Sequence, residues 1–285
     1  GIPTLQQGRT TGDGRKLRRA ALMMRAIVAN GVTLHVHENG DPDGAPVVFA
    51  NSLDTDLRLW DALIPLLPKG LRLIRYDTRG HGLSECPAGP YTIDDLTDDA
   101  EALIEALDLG PVTFVGLSIG GMIGQNLASS RPDLVRAMVL SNTAARMGVP
   151  KSWNDRIAAI TANGLASLEA AILDRWFGPR FRASPEAALW GAMLSRTPQA
   201  GYLGCCAAIA DADLTETTRM LRLPALVIAG SHDGASPPDL VAATAALIPN
   251  AAYHVIAGAA HLPCIEDPAA YVAILNPFLK EYANV

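Results

Sequence analysis

The chain has 285 residues, of which 49% are hydrophobic and 18% charged, with 23 Lys plus Arg against 29 Asp plus Glu and a net charge of −6. That balance excludes nucleic acid as a partner, because neutralising phosphates needs clustered basic side chains. No run reaches the roughly 18 apolar residues of a membrane span, so no membrane partner is expected either.

The length is enough for one α/β domain with an insertion, or for two domains. Cys86, Cys205, Cys206 and Cys264 have neither C-x-x-C spacing nor paired His ligands. No metal site and no disulfide framework is therefore expected, and free thiols point to the cytoplasm. Residues 1–22 carry Arg9, Arg15, Lys16, Arg18 and Arg19 without the apolar core of a secretory signal. They read as a leader or cloning remnant, with the natural start at Met23 or Met24.

In chain order, Ile27 and Val28, then Val32, Leu34 and Val36, alternate as two strands around Asn30-Gly31, a hairpin turn pair. His35 and His37 on the second strand read as solvated or edge-strand histidines. Val47 to Ala50 is a continuous apolar run, the pattern of a strand buried on both faces of a parallel sheet. The loop Asn51-Ser52-Leu53-Asp54 follows it. Trp60 to Leu67 is expected as a short helix, and Leu71 to Tyr76 as the next strand. Asp77 to Ser84 forms a glycine-bearing loop that contains His81. Asp94 to Leu109 is a helix with Leu96, Ala100, Leu103 and Leu107 on its apolar stripe, its acidic residues forming a solvated face.

Val112 to Val115 is another buried strand, and it runs into Gly116-Leu117-Ser118-Ile119-Gly120 before a helix of small and apolar residues. This is G-x-S-x-G between strand and helix. There the serine backbone takes a strained conformation, the glycines make room, and the hydroxyl of Ser118 projects above the sheet. Ala137 to Leu140 is a further strand. The strand–helix alternation then stops, and residues 146–218, broken by Pro179, Pro185 and Pro198, read as a helical cap inserted between two halves of the core, 23–145 and 219–285. Pro224 to Gly230 restores the buried-strand pattern and delivers Ser231-His232-Asp233. A helix from Pro238 to Leu247, a strand from Ala252 to Ile256, then His261 and a helix from Pro268 to Tyr282 complete the chain.

Ser118, Asp233 and His261 therefore follow predicted strands, in the order nucleophile, acid, base. A serine hydroxyl is a weak nucleophile at its own pKa. His261 is assigned to take its proton, and Asp233 to hold the imidazole tautomer and stabilise the imidazolium. His81 is the rival base, disfavoured because it precedes the nucleophile. The oxyanion hole is assigned to the backbone amides of Leu53 and Ile119. The chemistry requires no metal and no cofactor.

From residue 24 onward the chain resembles the 3-oxoadipate enol-lactonases of the α/β-hydrolase superfamily. The resemblance rests on Asn51-Ser52-Leu53, Asp56-Leu57-Arg58-Leu59-Trp60, Gly116 to Gly124, and the stretch Gly201 to Ile209 with its Cys205-Cys206 pair. Asp54 and Ala210 depart from it, standing where glycine and a basic residue are expected. The resemblance implies a mostly parallel sheet flanked by helices, and a small-molecule lactone substrate carrying a carboxylate. Serine attack would open that lactone to the keto diacid, in the β-ketoadipate route of aromatic degradation. The carboxylate needs a cation, and Arg58 and Arg146 are the candidates, with Arg175 of the cap in reserve. A general small-ester esterase or cofactor-free perhydrolase needs the same triad, and a slow-turnover receptor on the same fold would keep it. Nothing in the sequence sets the oligomeric state, and a homo-oligomer stays open.

Overall fold

The structure, a computed structural model, describes residues 24–283; the segment 1–22, read above as a leader, lies outside them. Asn30 and Gly31 take left-handed φ values of 50° and 72°, the geometry that closes a two-residue hairpin. They join β1 (Met24–Ala29) to β2 (Val32–Gly40) in antiparallel register. β2 pairs with β4 (Leu71–Tyr76), also antiparallel. The remaining strands, β3 (Ala45–Ala50), β5 (Val112–Leu117), β6 (Val135–Ser141), β7 (Ala225–Gly230) and β8 (Ala252–Ile256), run parallel to β4. The sheet order is β1-β2-β4-β3-β5-β6-β7-β8.

This order positions the site. The chain leaves β3 for β4 on one side and returns past β3 to β5 on the other, so the direction of winding reverses between β3 and β5. In such sheets the crevice outside the carboxyl ends at the reversal is where ligands bind. Register sharpens the point: Ala50 lies opposite Gly116, Leu117 opposite Ser141, Ser141 opposite Ile228, and Gly230 opposite Ile256. Five strand ends are thereby drawn into one row. Every residue of β5 and β7 is buried, as expected for strands covered by helices on both faces.

The covering helices are α1 (Ile93–Ala106), α2 (Ile119–Ser130), α9 (Pro238–Ala245) and α11 (Pro268–Tyr282), the last preceded by the single turn α10 (Pro263–Glu266). Thr92 and Asp95 start α1 with a reciprocal capping box. One acidic residue of α1 is not on a solvated face. Asp99 is 1% exposed, and Arg79 grips it through two hydrogen bonds of 2.6 Å each. The guanidinium of the loop after β4 thus ties that loop to α1.

The helix expected over Trp60 to Leu67 is instead two 3-10 turns, Leu57–Trp60 and Ile64–Leu66, because Pro65 and Pro68 remove the amides an α-helix would need. His35 and His37 are not solvated edge residues either. β1 lies outside β2, and the two rings bond to Asp77 and Asn39.

Between β6 and β7 the described residues form helices and turns alone: α3 (Pro150–Asn163), α4 (Glu169–Trp176), α5 (Pro179–Arg182), α6 (Glu186–Leu194), α7 (Gln199–Asp211) and α8 (Thr215–Arg219). α3 packs along α7. Cys205 and Cys206 are buried free thiols on α7, where small apolar residues let it approach the loops of the core: a Cβ at Gly201 would lie 2.1 Å from the carbonyl oxygen of Gly80.

Candidate active site

Ser118 sits between β5 and α2 at φ 58°, ψ −120°, a conformation that costs a non-glycine residue about 1–3 kcal/mol. The surroundings hold it there. Its N–H donates to the Ser141 carbonyl at 2.9 Å, and its carbonyl accepts the Thr143 hydroxyl at 2.6 Å. The flanking glycines are demanded by backbone, not by flexibility. A Cβ on Gly116 would lie 2.2 Å from the carbonyl oxygen of Gly120, and one on Gly120 would lie 2.2 Å from that of Ala50.

His261 and Asp233, expected from strand order, are brought together. His261 Nδ1 lies 2.8 Å from Asp233 Oδ2, with both residues more than nine-tenths buried. The carboxylate is heavily served. Oδ1 accepts from the Ala235 and Ser236 amides at 2.7 and 3.0 Å. Oδ2 accepts in addition from the Ser236 hydroxyl at 2.6 Å and from Asn142 Nδ2 at 2.9 Å. Burial pushes the carboxyl up, but the His261 charge and the bonds from His261, Ser236 and Asn142 outweigh it and hold the pKa below the usual carboxylate range. An ionised Asp233 that accepts from Nδ1–H leaves Nε2 as the basic nitrogen of His261.

Ser118 Oγ donates to Met147 Sδ at 3.9 Å, and no hydrogen bond joins it to His261 among the described residues. Such links often tighten only in the substrate complex. Both residues line one cavity of about 210 Å³, together with Leu53, Asp54, Arg156, Arg175, Trp176 and Tyr202. Among the described residues, neither the Leu53 nor the Ile119 amide donates to an acceptor of the protein. The first follows β3 and the second opens α2, so both N–H groups stay available beside Ser118.

His81 is tied up. The Asp54 N–H donates to its Nε2 at 3.0 Å, which puts the ring proton on Nδ1, facing the Arg79 carbonyl at 3.2 Å. Burial lowers its pKa, with the Arg79 carbonyl partly offsetting this, so the ring is a neutral strut between two loops.

The arginines chosen from the sequence are not in the cavity. Arg58 is held by Asp56, its Nε 2.9 Å from Oδ1, and lines a separate groove beside His35 and Met193. Asp56 also caps the 3-10 turn that carries Arg58, so the short local pair outcompetes any reach toward Ser118. Arg146 turns outward to Asp213 at 3.1 Å and is half exposed. The cavity cations are Arg156 of α3 and Arg175 of α4. Arg156 lies over the Trp153 ring, 4.7 Å from its centroid, and donates to the Tyr202 hydroxyl at 3.4 Å. His232 lines a different groove, beyond Gly258.

Three contributors had no clear signal in the sequence. Asn142, at φ 48°, bonds both Asp233 and the Ala260 carbonyl, the latter at 3.1 Å. An asparagine directly after a strand is a weak hint of a left-handed turn, and nothing more. Ser236 is hidden in the loop before α9. Glu266 accepts the Ala260 amide at 2.5 Å and the Gly178 amide at 2.6 Å, pinning the His261 loop to the segment after α4.

Residues 45–268 match the family model of the alpha/beta hydrolase fold. A 3-oxoadipate enol-lactonase of Acinetobacter baylyi is 34% identical over 260 residues, covering 90% of this chain and 96% of that protein. Among solved structures, the enol-lactonase of Burkholderia xenovorans superposes with a TM-score of 0.87 at 37% identity, over 90% of this chain and 99% of its own. A thermophilic esterase of Thermogutta terrifontis, solved with malate bound, gives a TM-score of 0.85 at 26% identity, over 92% and 99%. The chain belongs to the alpha/beta hydrolase fold family, with 3-oxoadipate enol-lactonases among its relatives.

Proposed function

We propose that this protein is a serine hydrolase that opens a small enol-lactone bearing a carboxylate arm, 3-oxoadipate enol-lactone being the substrate that the names of its relatives indicate. Its place would be in the β-ketoadipate degradation of aromatic compounds. The observation that carries the reading is the pair Arg156 and Arg175 in the wall of the small cavity that holds Ser118 and His261. A neutral ester has no use for two guanidiniums, whereas a carboxylate buried without a partner would cost several kcal/mol. Bidentate contact with arginine supplies that partner.

In this reading Ser118 Oγ attacks the lactone carbonyl while His261 Nε2 takes its proton, and the new oxyanion is held by the Leu53 and Ile119 amides. Collapse breaks the bond to the ring oxygen, which leaves as the enol with the proton from His261 and stays tethered through the acyl chain. Water then attacks the acyl-enzyme, again losing a proton to His261. Return of that proton to Ser118 Oγ releases the open diacid as its enol, which tautomerises to the keto diacid by moving the hydroxyl proton to carbon. Asp233 stabilises the imidazolium in both halves.

The test is the spectrophotometric loss of the enol-lactone with purified protein, run beside a neutral acetate ester of similar size. Turnover on the lactone with much higher kcat/KM than on the ester is expected. Equal efficiency on both would hand the assignment to a general esterase, the reading favoured by the Thermogutta terrifontis likeness.

A further inference from the structure

Asp54 has an unusual position. It follows Leu53 in the loop after β3, at φ 65°, in the left-handed region that asparagine and aspartate tolerate better than most. The residue is 1% exposed, and both carboxyl oxygens are buried with no hydrogen-bond partner among the described residues. Its backbone is secured, however, by the bond from its N–H to His81 Nε2.

The groups that face the carboxyl come from three directions. Tyr202 of α7 lines the same cavity as Asp54, with Cys206 one turn further along that helix, and the Thr197 hydroxyl, just before α7, opposes the effect of burial on the carboxyl. His81, on the core side, is neutral. Arg156, in the same cavity wall, directs its guanidinium to the Tyr202 hydroxyl and the Trp153 ring. Arg175 lines that wall too, and among the described residues no cation bonds the Asp54 carboxyl.

An unpartnered carboxylate in such a place is expensive, so the group relieves the cost by keeping its proton. Burial indeed pushes the Asp54 carboxyl well above the usual range, against the opposing effect of Thr197. As a neutral side chain it lets the loop lie flush beneath α7. As an anion buried without a hydrogen-bond partner it would draw the loop outward toward water, carrying the neighbouring Leu53 amide away from Ser118. We propose that Asp54 is a positioning residue for the oxyanion amide of Leu53, and that the loop is seated against α7 only while the Asp54 carboxyl is protonated. The inference rests on the oxyanion role given to Leu53 above.

The sign follows from linkage. A carboxyl with a raised folded-state pKa contributes stability that is full below about 3.9 and is lost as pH rises through the folded value. Thermal unfolding and hydrolysis of p-nitrophenyl acetate are measured from pH 5 to 9 for the wild type, Asp54→Asn and Asp54→Gly. Asn keeps the shape without the titration, and Gly suits the left-handed backbone should Asn fold poorly. The expected result is a wild-type Tm that falls relative to both variants as pH rises. Over the same range the wild-type kcat should fall at least about tenfold relative to Asp54→Asn with KM little changed, approaching the roughly 10²–10³ that complete loss of one oxyanion donor costs. Parallel Tm curves would show that the carboxyl never holds a proton. Diverging Tm curves with parallel kcat curves would show that it does but positions nothing. Either result overturns the inference. A wild type inactive on ester and lactone alike would instead overturn the proposed function, and this inference with it.

Discussion

Asn142 Nδ2 stands 2.9 Å from Asp233 Oδ2, and the same side-chain amide reaches the carbonyl of Ala260, the residue before His261. One residue after β6 therefore fixes Asp233 after β7 and the loop that carries His261 after β8. Its left-handed backbone, φ 48°, aims the side chain across the row of strand ends.

Asn142→Gly should expose that role, because Gly keeps the left-handed conformation available and removes only the side chain. A hydrogen bond to a charged group contributes about 1.5–3 kcal/mol. Loss of roughly tenfold to a hundredfold in kcat is expected, with KM nearly unchanged. Unchanged kcat would mean that Ser236 and the two loop amides suffice to orient Asp233.

Ser118 and His261 should behave as one unit. Ser118→Ala is expected to lose about a thousandfold or more in kcat while keeping its fold by circular dichroism. The double variant Ser118→Ala/His261→Ala should be barely worse than either single change. Losses that multiply would remove His261 from the mechanism.

Arg156→Gln and Arg175→Gln are expected to lower kcat/KM on the lactone by about tenfold to a hundredfold, the equivalent of a charged hydrogen bond. On p-nitrophenyl acetate they should do little. Arg58→Gln and Arg146→Gln serve as controls and should leave both substrates unaffected, since these side chains are engaged with Asp56 and Asp213 outside the cavity. A lactone-specific loss in a control variant would place the carboxylate elsewhere.

Acid should weaken the fold through Asp233. Its folded-state pKa is depressed, the cost of burial being outweighed by the His261 charge and the bonds it accepts. Its stabilisation is therefore present above about 3.9 and is lost as pH falls through the folded value. The Tm gap between wild type and Asp233→Asn should be widest near neutral pH and shrink below about pH 4. A gap independent of pH would mean that the carboxylate contributes through shape alone.

Much of this molecule was legible in one dimension. The strand limits Leu71–Tyr76 and Ala252–Ile256 coincide with the expected ones, and the Asn30-Gly31 hairpin forms as its turn chemistry demands. Those features are local: apolar runs, turn residues and helix breaks act over a few residues, so the chain order of Ser118, Asp233 and His261 after their strands could be read directly. The glycines of the elbow were legible for the same reason.

What lies across the cavity was not. The sequence placed Arg58 a few residues after the oxyanion loop, but nearness along the chain says nothing of direction, and a capping carboxylate two residues away captured it. Arg156 and Arg175 reach the same cavity from α3 and α4, helices that lie between β6 and β7 in the chain. Asn142 meets Asp233 across 91 residues of chain. Local pattern determined which residues end strands and what chemistry they carry. Only packing decided which cations line the cavity with Ser118, that Asp99 pairs in the interior instead of facing water, and that the Asp54 carboxyl has no hydrogen-bond partner among the described residues. Each of these depends on what long-range contacts do to a side chain's solvation, a property that no short window of sequence contains.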